Sequence, residues 1–569
     1  MDLYDKVIEL SKRRGFLWNS FEIYGGAAGF YDYGPYGAML KRCVENIWRD
    51  FFVVQEGFFE IESPTIGIED IFVASGHVSG FSDPLTECLK CGEAFRADHL
   101  INNIICGADG LLSDELERLI KLHNIRCPEC GGNLDKVYDF NLMFNTSIGS
   151  GAGRKAYLRP ETAQGMFVDF PRLLRFYREK LPFGATQIGK AYRNEISPRQ
   201  GVLRLREFTQ AEAEIFIDPV DKTHPSFKEI AKKKLTLYPA NVQEEGDEPI
   251  TMQLDEAVSS GIIAHECIAY YINLTCEFLV ACGIDPHRLR LRQHRSDEMA
   301  HYAADCWDAE VYMDRFGWVE VVGIADRTDY DLKAHMKLSK AQLTVFKEYK
   351  TAQKKDVVKI KPNMAYIGPT FKNKAREIIN ALQNISPGDI KNGTATVDVS
   401  GEAITLGSEA FLIERRVEEI RGENVVPHVI EPSFGIDRII YAILEHSYFE
   451  EMVEDENRVV LKLPMKIAPV KAAVLPLLTR DELIEPSNRI VSMLKKIGIQ
   501  TVFDDSGTIG RRYRRNDEIG TPYAITIDYE TLKDETVTIR DRDTMKQVRV
   551  PINGIDLKIS NALTQVPLL

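Results

Sequence analysis

The chain has 569 residues, a formal net charge of -14, 44% hydrophobic residues and 27% charged ones. That length exceeds what one hydrophobic core organises and implies two to four domains, while the composition excludes a disordered or fibrous protein. The acidic balance excludes a protein that coats nucleic acid through a broad basic surface, although local basic patches on an acidic body still dock a polyanion. Charges near the amino terminus (Asp2, Asp5, Lys6) interrupt any secretion signal, and no run is long enough to span a bilayer, so a cytoplasmic, membrane-free protein is expected.

Residues 24–37 are rich in glycine and aromatics but lack the Gly-Lys-Ser/Thr ending of a phosphate-binding loop, so their glycines read as close packing. Leu40, Val44, Ile47 and Phe51 recur at helical spacing, and residues 57–64 form a strand stopped by Pro64. Cys88-Leu-Lys-Cys91 and Cys127-Pro-Glu-Cys130 have the two-plus-two spacing of a structural zinc site, set against the plainer reading of four reduced cysteines. Cys106, His99 and His123 are spare ligand candidates. Leu112, Leu116, Leu119 and Ile120 predict a helix between the pairs, and residues 95–99 read as a solvated turn.

The densest segment is residues 191–216, with four arginines and four glutamates. Residues 187–192 and 203–208 are β-compatible, and Ser197-Pro198-Arg199-Gln200-Gly201 has turn chemistry, which predicts an antiparallel hairpin. Such a hairpin brings Arg193, Glu195, Arg204, Arg206 and Phe208 together. Guanidinium forks match phosphate oxygens, a glutamate accepts from an exocyclic amine, and an aromatic face stacks on a base. The plain reading is a surface hairpin whose charges pair with one another.

Farther on, residues 317–332 carry a central-strand pattern with a charged end. Residues 333–361 hold nine lysines against two acidic residues, which reads as a solvated helical face or as a module for a polyanion. Residues 429–440 are a strand, a glycine and a helix start. From about residue 459 short strands alternate with a helix over 481–497, a mixed α/β domain. There Arg511, Arg512, Tyr513, Arg514 and Arg515 make a phosphate-and-base patch on a loop or helix start, with stacking from Tyr513.

Arg193-Asn-Glu195 followed by Arg204 and Phe208 resembles the second signature motif of the class II aminoacyl-tRNA synthetases, and the fuller run through Glu212 is similar to the glycyl-tRNA synthetases. The helix and strand ending at Pro64 resemble the first motif, which builds a homodimer interface in that family. Residues 429–440 resemble the third, with Asp437 where the family often has a second glycine. The carboxy-terminal stretch resembles the anticodon-binding domain of the glycyl, histidyl, prolyl and threonyl enzymes.

This resemblance implies an α+β fold: an antiparallel sheet flanked by helices, with insertions and a carboxy-terminal α/β anticodon-binding domain. The expected divisions are a catalytic core at 1–66, 151–332 and 421–458, a zinc-bearing insertion at 67–150, a lysine-containing insertion at 333–420, and the anticodon-binding domain at 459–569. The implied activity joins glycine to tRNA(Gly) through glycyl-adenylate, with ATP and Mg2+ as the substrate complex and structural Zn2+. ATP falls to Arg193, Asn194, Glu195, Leu203, Arg204, Leu205, Arg206, Glu207, Phe208, Glu320, Val321, Gly435, Ile436, Asp437 and Arg438, of which Arg193 and Arg438 are the catalytic pair. Glycine falls to Arg96, Glu161, Phe208, Thr209, Gln210, Ala211, Glu212, Arg327, Glu431, Pro432, Ser433, Phe434 and Gly435. Glycine has no smaller competitor, so editing is unnecessary. Two rivals compete: a class II enzyme for another small amino acid, which Glu431-Pro-Ser433 disfavours, and a non-catalytic nucleic-acid-binding paralogue, for which an intact ATP motif has no use.

Overall fold

The computed structural model describes residues 1–564, apart from residues 106, 109, 152, 199–200, 300–302, 386–389, 391–392 and 400–401. The spare candidate Cys106 and the turn residues Arg199 and Gln200 thus lie outside the described residues. The chain forms two compact units, Met1–Leu343 with Val426–Leu569, and Thr344–Val425. Among the described residues no helix is long and apolar enough to cross a membrane.

A nine-stranded sheet organises the first unit. Its strands are β1 (Phe59–Glu60), β2 (Phe183–Tyr192), β3 (Glu207–Ile217), β4 (Lys234–Tyr238), β5 (Ile250–Gln253), β6 (Leu289–Gln293), β7 (Asp305–Met313), β8 (Gly317–Thr328) and β9 (His428–Gly435), in the order β5-β4-β6-β7-β8-β9-β3-β2-β1. Neighbours pair antiparallel except β1 with β2 and β4 with β6. Three helices, α1 (Pro35–Arg49), α2 (Glu266–Ala281) and α3 (Ile436–Ser447), cover the apolar face. The antiparallel, helix-flanked sheet is the α+β architecture that the resemblance implies.

Side-chain alternation along β3 decides what each face does. Ala211, Ala213, Ile215 and Ile217 join the core beneath the helices, while Phe208, Gln210, Glu212 and Glu214 stand on the opposite face. In the core, Trp48 stacks on Phe52 at 5.0 Å and meets Phe434 edge-on at 5.9 Å. Burying each such phenylalanine contributes about 1.5–3 kcal/mol. The polar face is therefore carried on a rigid apolar base.

Several local expectations are corrected. The stripe at Leu40, Val44 and Ile47 lies on α1, but the chain widens into a π-type turn over Asp50–Gln55, so Phe52 rather than Phe51 is fully buried. The strand over 57–64 shrinks to β1, because Ser63 bonds the Gln187 side chain (2.7 Å from its N–H) instead of extending the ladder. The hairpin pairs Tyr192 with Glu207, and its second strand begins at Glu207, not Leu203. Val202 and Leu203 are drawn into the core from a 3-10 turn, and the Arg206 amide bonds the Gly29 carbonyl at 2.9 Å. Close backbone approach does explain the early glycines: a Cβ at Gly37 would lie 1.9 Å from the Phe16 carbonyl oxygen.

Between β1 and β2, strands Ser82–Glu87, Ala94–Arg96 and Tyr138–Asn141 form a small sheet. Helix Ser113–Leu122 fills the gap between the cysteine pairs with Leu116 and Ile120 buried, whereas Leu112 is exposed ahead of its start. Residues 95–99 are no solvated turn, for Ala94–Arg96 is a strand and helix Ala97–Asn102 buries Ala97 and Asp98.

The unit Thr344–Val425 has its own core around Ile367, Ile378, Leu382, Val397 and Phe411. Its long strand Val345–Pro362 pairs with Phe411–Val425, so most of the lysine-rich stretch is strand; only Tyr330–Ser339, in the first unit, is helix. Lys347 stands opposite Glu423, Lys354 opposite Glu419 and Lys359 opposite Glu414, cross-strand pairs of opposite charge that favour this register.

The carboxy-terminal part of the first unit is a mixed five-stranded sheet with helices α4 (Asp481–Lys496) and α5 (Ile509–Ile519). Fully buried Arg458 ties it to the hairpin Tyr448–Leu461, its Nε lying 2.8 Å from Asp517 of α5.

Candidate active site

A pocket of about 180 Å3 opens on the polar face between the loop preceding β3 and the start of α3. Arg193, Glu195, Leu203, Arg204, Leu205, Phe208, Glu320, Val321, Gly435, Asp437 and Arg438 all line it, with Thr209, Gln210 and Ser433 from the expected glycine set. Val202 and Gly323 also line it and carry no signal in the sequence.

The arginines of this pocket differ in how far they are already committed. Arg193 donates Nε–H to the Pro160 carbonyl at 3.2 Å, and its guanidinium lies 5.4 Å from the Phe81 ring and 5.3 Å from the Phe208 ring. Among the described residues no carboxylate pairs with it, so its outer nitrogens are open to an anion. Arg204 is held by Glu195 at 2.7 Å, which occupies the carboxylate expected for a base amine. Arg206 turns away, donating to the Ala28 and Glu195 carbonyls at 2.8 and 2.9 Å. At the other end Arg438 donates to the Leu203 carbonyl (3.0 Å) and the Glu320 carbonyl (2.8 Å). Asp437 accepts from the Thr209 amide and the Tyr33 hydroxyl, both at 2.5 Å. Burial and then the Asp437 charge push the Tyr33 phenol well up, so it keeps the proton it donates.

Gln210 on β3 leads from this pocket to a second, drier group of side chains. Its amide donates to Ser433 at 3.0 Å, and Ser433 donates to Glu212 at 2.7 Å. The other Glu212 oxygen accepts from the Thr162 amide at 2.8 Å and from the Thr162 hydroxyl. Arg327, at the end of β8, lies 2.6 Å from Glu431 and 2.8 Å from Asp331. Glu161 accepts from Gln164 at 2.8 Å and lies 3.6 Å from the His77 ring. Burial raises the Glu161 carboxyl, but His77, Arg327 and the Gln164 amide outweigh it and hold the group well below the usual range. Burial raises Glu212 and carries Glu431 up to about 8 despite Arg327. The arrangement is an acidic, largely buried cluster on the polar face of the sheet.

Other expected residues stand apart. Arg96 is held by Asp83 at 3.0 Å and by Asp98, beside a separate cavity of about 260 Å3 that it shares with His99 and Arg204. Glu207 pairs with Lys190 at 3.2 Å, and Asn194 bonds the Leu142 carbonyl through its amide at 2.7 Å. Ala211, Phe434 and Ile436 are core residues on the apolar face, and Pro432 is buried at the same parity as Phe434. Sequence reading missed Thr162, Gln164, Asp331 and Glu214. One of them had a positional signal, Glu214 two residues after Glu212 on one strand face, whereas Asp331 follows Arg327 across the junction of a strand and a helix, where no single period applies.

The sulfur atoms of Cys88, Cys91, Cys127 and Cys130 lie within 4.8 Å of one another, with Cys88–Cys130 at 3.5 Å and Cys91–Cys127 at 3.7 Å. Gly132 leaves the room they occupy, since a Cβ there would lie 2.9 Å from the Cys88 sulfur. Four convergent thiols with no fifth donor among the described residues fit a closed tetrahedral zinc site. His99 and His123 are not part of the group.

The carboxy-terminal basic patch divides. Buried Arg512 donates to the Asp505 and Gly507 carbonyls at 2.7 and 2.8 Å, and Arg515 forks onto Asp504 at 2.7 Å. Tyr513 bonds Thr526 at 2.6 Å and has Arg540 over its ring at 4.8 Å, so it is packed instead of presented to a base. Arg511 is exposed and Arg514 half-buried, 3.9 Å from Glu456.

Residues 144–447 match the tRNA synthetase class II core domain (G, H, P, S and T), and residues 471–561 match the anticodon binding domain. A glycine–tRNA ligase from Methanothrix thermoacetophila is 61% identical, covering 97% of this chain and 95% of its own. Those of Methanocaldococcus jannaschii and Methanothermobacter thermautotrophicus are 50% identical, each over 97% of this chain and 98% of theirs. A crystal structure of prolyl-tRNA synthetase from Cryptosporidium parvum, complexed with halofuginone and AMPPNP, aligns with all of this chain and 76% of its own at a TM-score of 0.52 and 12% identity, which is likeness of fold.

Proposed function

Because the chain belongs to the glycine–tRNA ligases, class II aminoacyl-tRNA synthetases, we propose that its pocket holds MgATP between Arg193 and Arg438 and that glycine binds next to it, beyond Gln210 and Ser433, against the carboxyls of Glu161, Glu212 and Glu431. The enzyme activates glycine with ATP and transfers it to the 3′ end of tRNA(Gly). The observation that carries the residue assignment is the hydrogen-bonded run Gln210–Ser433–Glu212, which joins the two ends along one face of β3.

The glycine carboxylate attacks the ATP α-phosphate, and negative charge builds on the phosphoryl oxygens. Arg193, fixed between two rings and uncommitted to a carboxylate, stabilises that charge, while Arg438 and Mg2+ hold the leaving pyrophosphate. No protein nucleophile takes part. Glu161, Glu212, Glu431 and Ser433 grip the ammonium and fill the space a larger side chain would need, which removes the need for editing.

Arg511 and Arg514 of α5 are the residues proposed to meet the tRNA backbone, with Arg512, Tyr513 and Arg515 shaping the helix that presents them. Labelled-glycine charging of tRNA(Gly) tests this together with the activity. The Arg511→Glu/Arg514→Glu pair is expected to raise the KM for tRNA about tenfold or more and to leave ATP–pyrophosphate exchange unchanged. Unaltered charging would remove the patch from tRNA binding.

Zn2+ is proposed at the four cysteines, where it would tie the two knuckles together and do no chemistry at the pocket. Metal analysis by plasma mass spectrometry is expected to find one zinc per chain, lost in Cys127→Ser; a zinc-free, fully folded wild type contradicts it. A homodimer through the segment of α1 and β1 is supported by exposed Val54 (72%) and Phe59 (53%). Sedimentation at the mass of a single chain would contradict that.

A further inference from the structure

One carboxyl on the polar face of β3 is left over by the assignments above. Glu214 is fully buried at 0% exposure, and neither of its oxygens has a hydrogen-bond partner among the described residues. Its carboxyl, that of Glu212 and that of Glu431 lie within 4.8 Å of one another. Each Glu212 oxygen already accepts from one residue, Thr162 or Ser433, and Glu431 pairs with Arg327, which also serves Asp331. The charged groups facing Glu214 are thus Glu212 on its own strand, Glu431 on β9, Arg327 on β8 and Asp331 on helix Tyr330–Ser339. Glu161 adds its charge to Glu212 and Glu431.

Two buried guanidiniums, Arg327 and, on the Glu212 side, Arg159, do not balance Glu161, Glu212, Glu214, Glu431 and Asp331, and an uncompensated buried charge takes up a proton where it is able. Burial, then the Glu431 charge, pushes Glu214 well above the ordinary carboxylate range. Glu431 stands at about 8 for the same first reason. Carboxyls this close titrate as a unit, so the proton belongs to the cluster.

We propose that the Glu212–Glu214–Glu431 cluster stores a proton in the free enzyme and releases it when the glycine ammonium enters. The inference rests on the glycine-cradle reading. Substrate binding then exchanges one positive charge for another, and the dry site stays close to neutral whether empty or filled. An ammonium beside the carboxyls favours their ionised form and expels the proton. Because the complex holds fewer protons than the free enzyme, glycine binding strengthens as pH rises and levels off once the free cluster has ionised.

Titration calorimetry of glycine into the full-length enzyme, near pH 7 in buffers of different ionisation enthalpy, counts the proton directly. The expected result is close to one proton released per glycine, with affinity rising about tenfold per pH unit between roughly pH 6 and 8. Glu214→Gln keeps the shape and cannot ionise; it is expected to cut the release by more than half and flatten the pH profile. Wild-type binding without proton release, or undiminished release from Glu214→Gln, overturns the inference. Should that variant fail to fold, the wild-type proton count decides alone. Failure of glycine to bind at all overturns the cradle reading itself, which separates the two.

Discussion

Arg193→Ala is expected to slow glycine-dependent ATP–pyrophosphate exchange by about two orders of magnitude or more, the scale of a lost transition-state donor. Four arginines crowd this part of the sequence, and position divides the three that lie among the described residues. Arg204 is neutralised by Glu195 at 2.7 Å and Arg206 is spent on backbone carbonyls, whereas Arg193 rests between the Phe81 and Phe208 rings. Those contacts and the bond from its Nε to the Pro160 carbonyl place the guanidinium before ATP arrives, so little reorganisation is left for the reaction. The loss should fall on the chemical step, measured by rapid quench, with less change in ATP affinity. A near-normal rate would remove Arg193 from its assigned role.

Arg327→Met is expected to destabilise the enzyme by about 3–5 kcal/mol, the range for removing one partner of a buried charge pair. Arg327 is 5% exposed and holds two buried carboxylates, Asp331 at 2.8 Å and Glu431 at 2.6 Å. Without it Asp331, Glu431 and Glu214 face one another with no adjacent cation among the described residues. The check is the denaturant midpoint at neutral pH against wild type. A shift of under 1 kcal/mol would mean that the carboxyls had already been neutral, and would weaken the charge ledger of the cradle.

The chemistry was legible where it is concentrated in short segments. The cysteine pairs, the helix between them and the helix over 481–496 follow from local spacing. The antiparallel, helix-flanked architecture followed from the resemblance. What escaped depends on partners distant in the chain. The lysines of Val345–Pro362 look like a helical face until Glu414, Glu419 and Glu423 are found across the hairpin, more than fifty residues away. Arg512 and Tyr513 look presented to a base until the carbonyls of a neighbouring turn and the Thr526 hydroxyl claim them. Leu203 reads as strand because nothing local reveals that it is drawn beneath α3. Strand parity separates residues that a contiguous motif joins: Ala211 and Phe434 face the core, while Glu212 and Ser433, each one residue away, face the cradle.

The central claim is that one face of β3 joins an ATP site to a cradle fitted to glycine, and ATP–pyrophosphate exchange with each amino acid in turn tests it most directly. Exchange driven by glycine, with alanine and serine near background, is the result predicted from the Glu161–Glu212–Glu431 cradle and the Ser433 bonded to it. Stimulation by alanine or serine in preference to glycine, or no exchange with any amino acid, would contradict it.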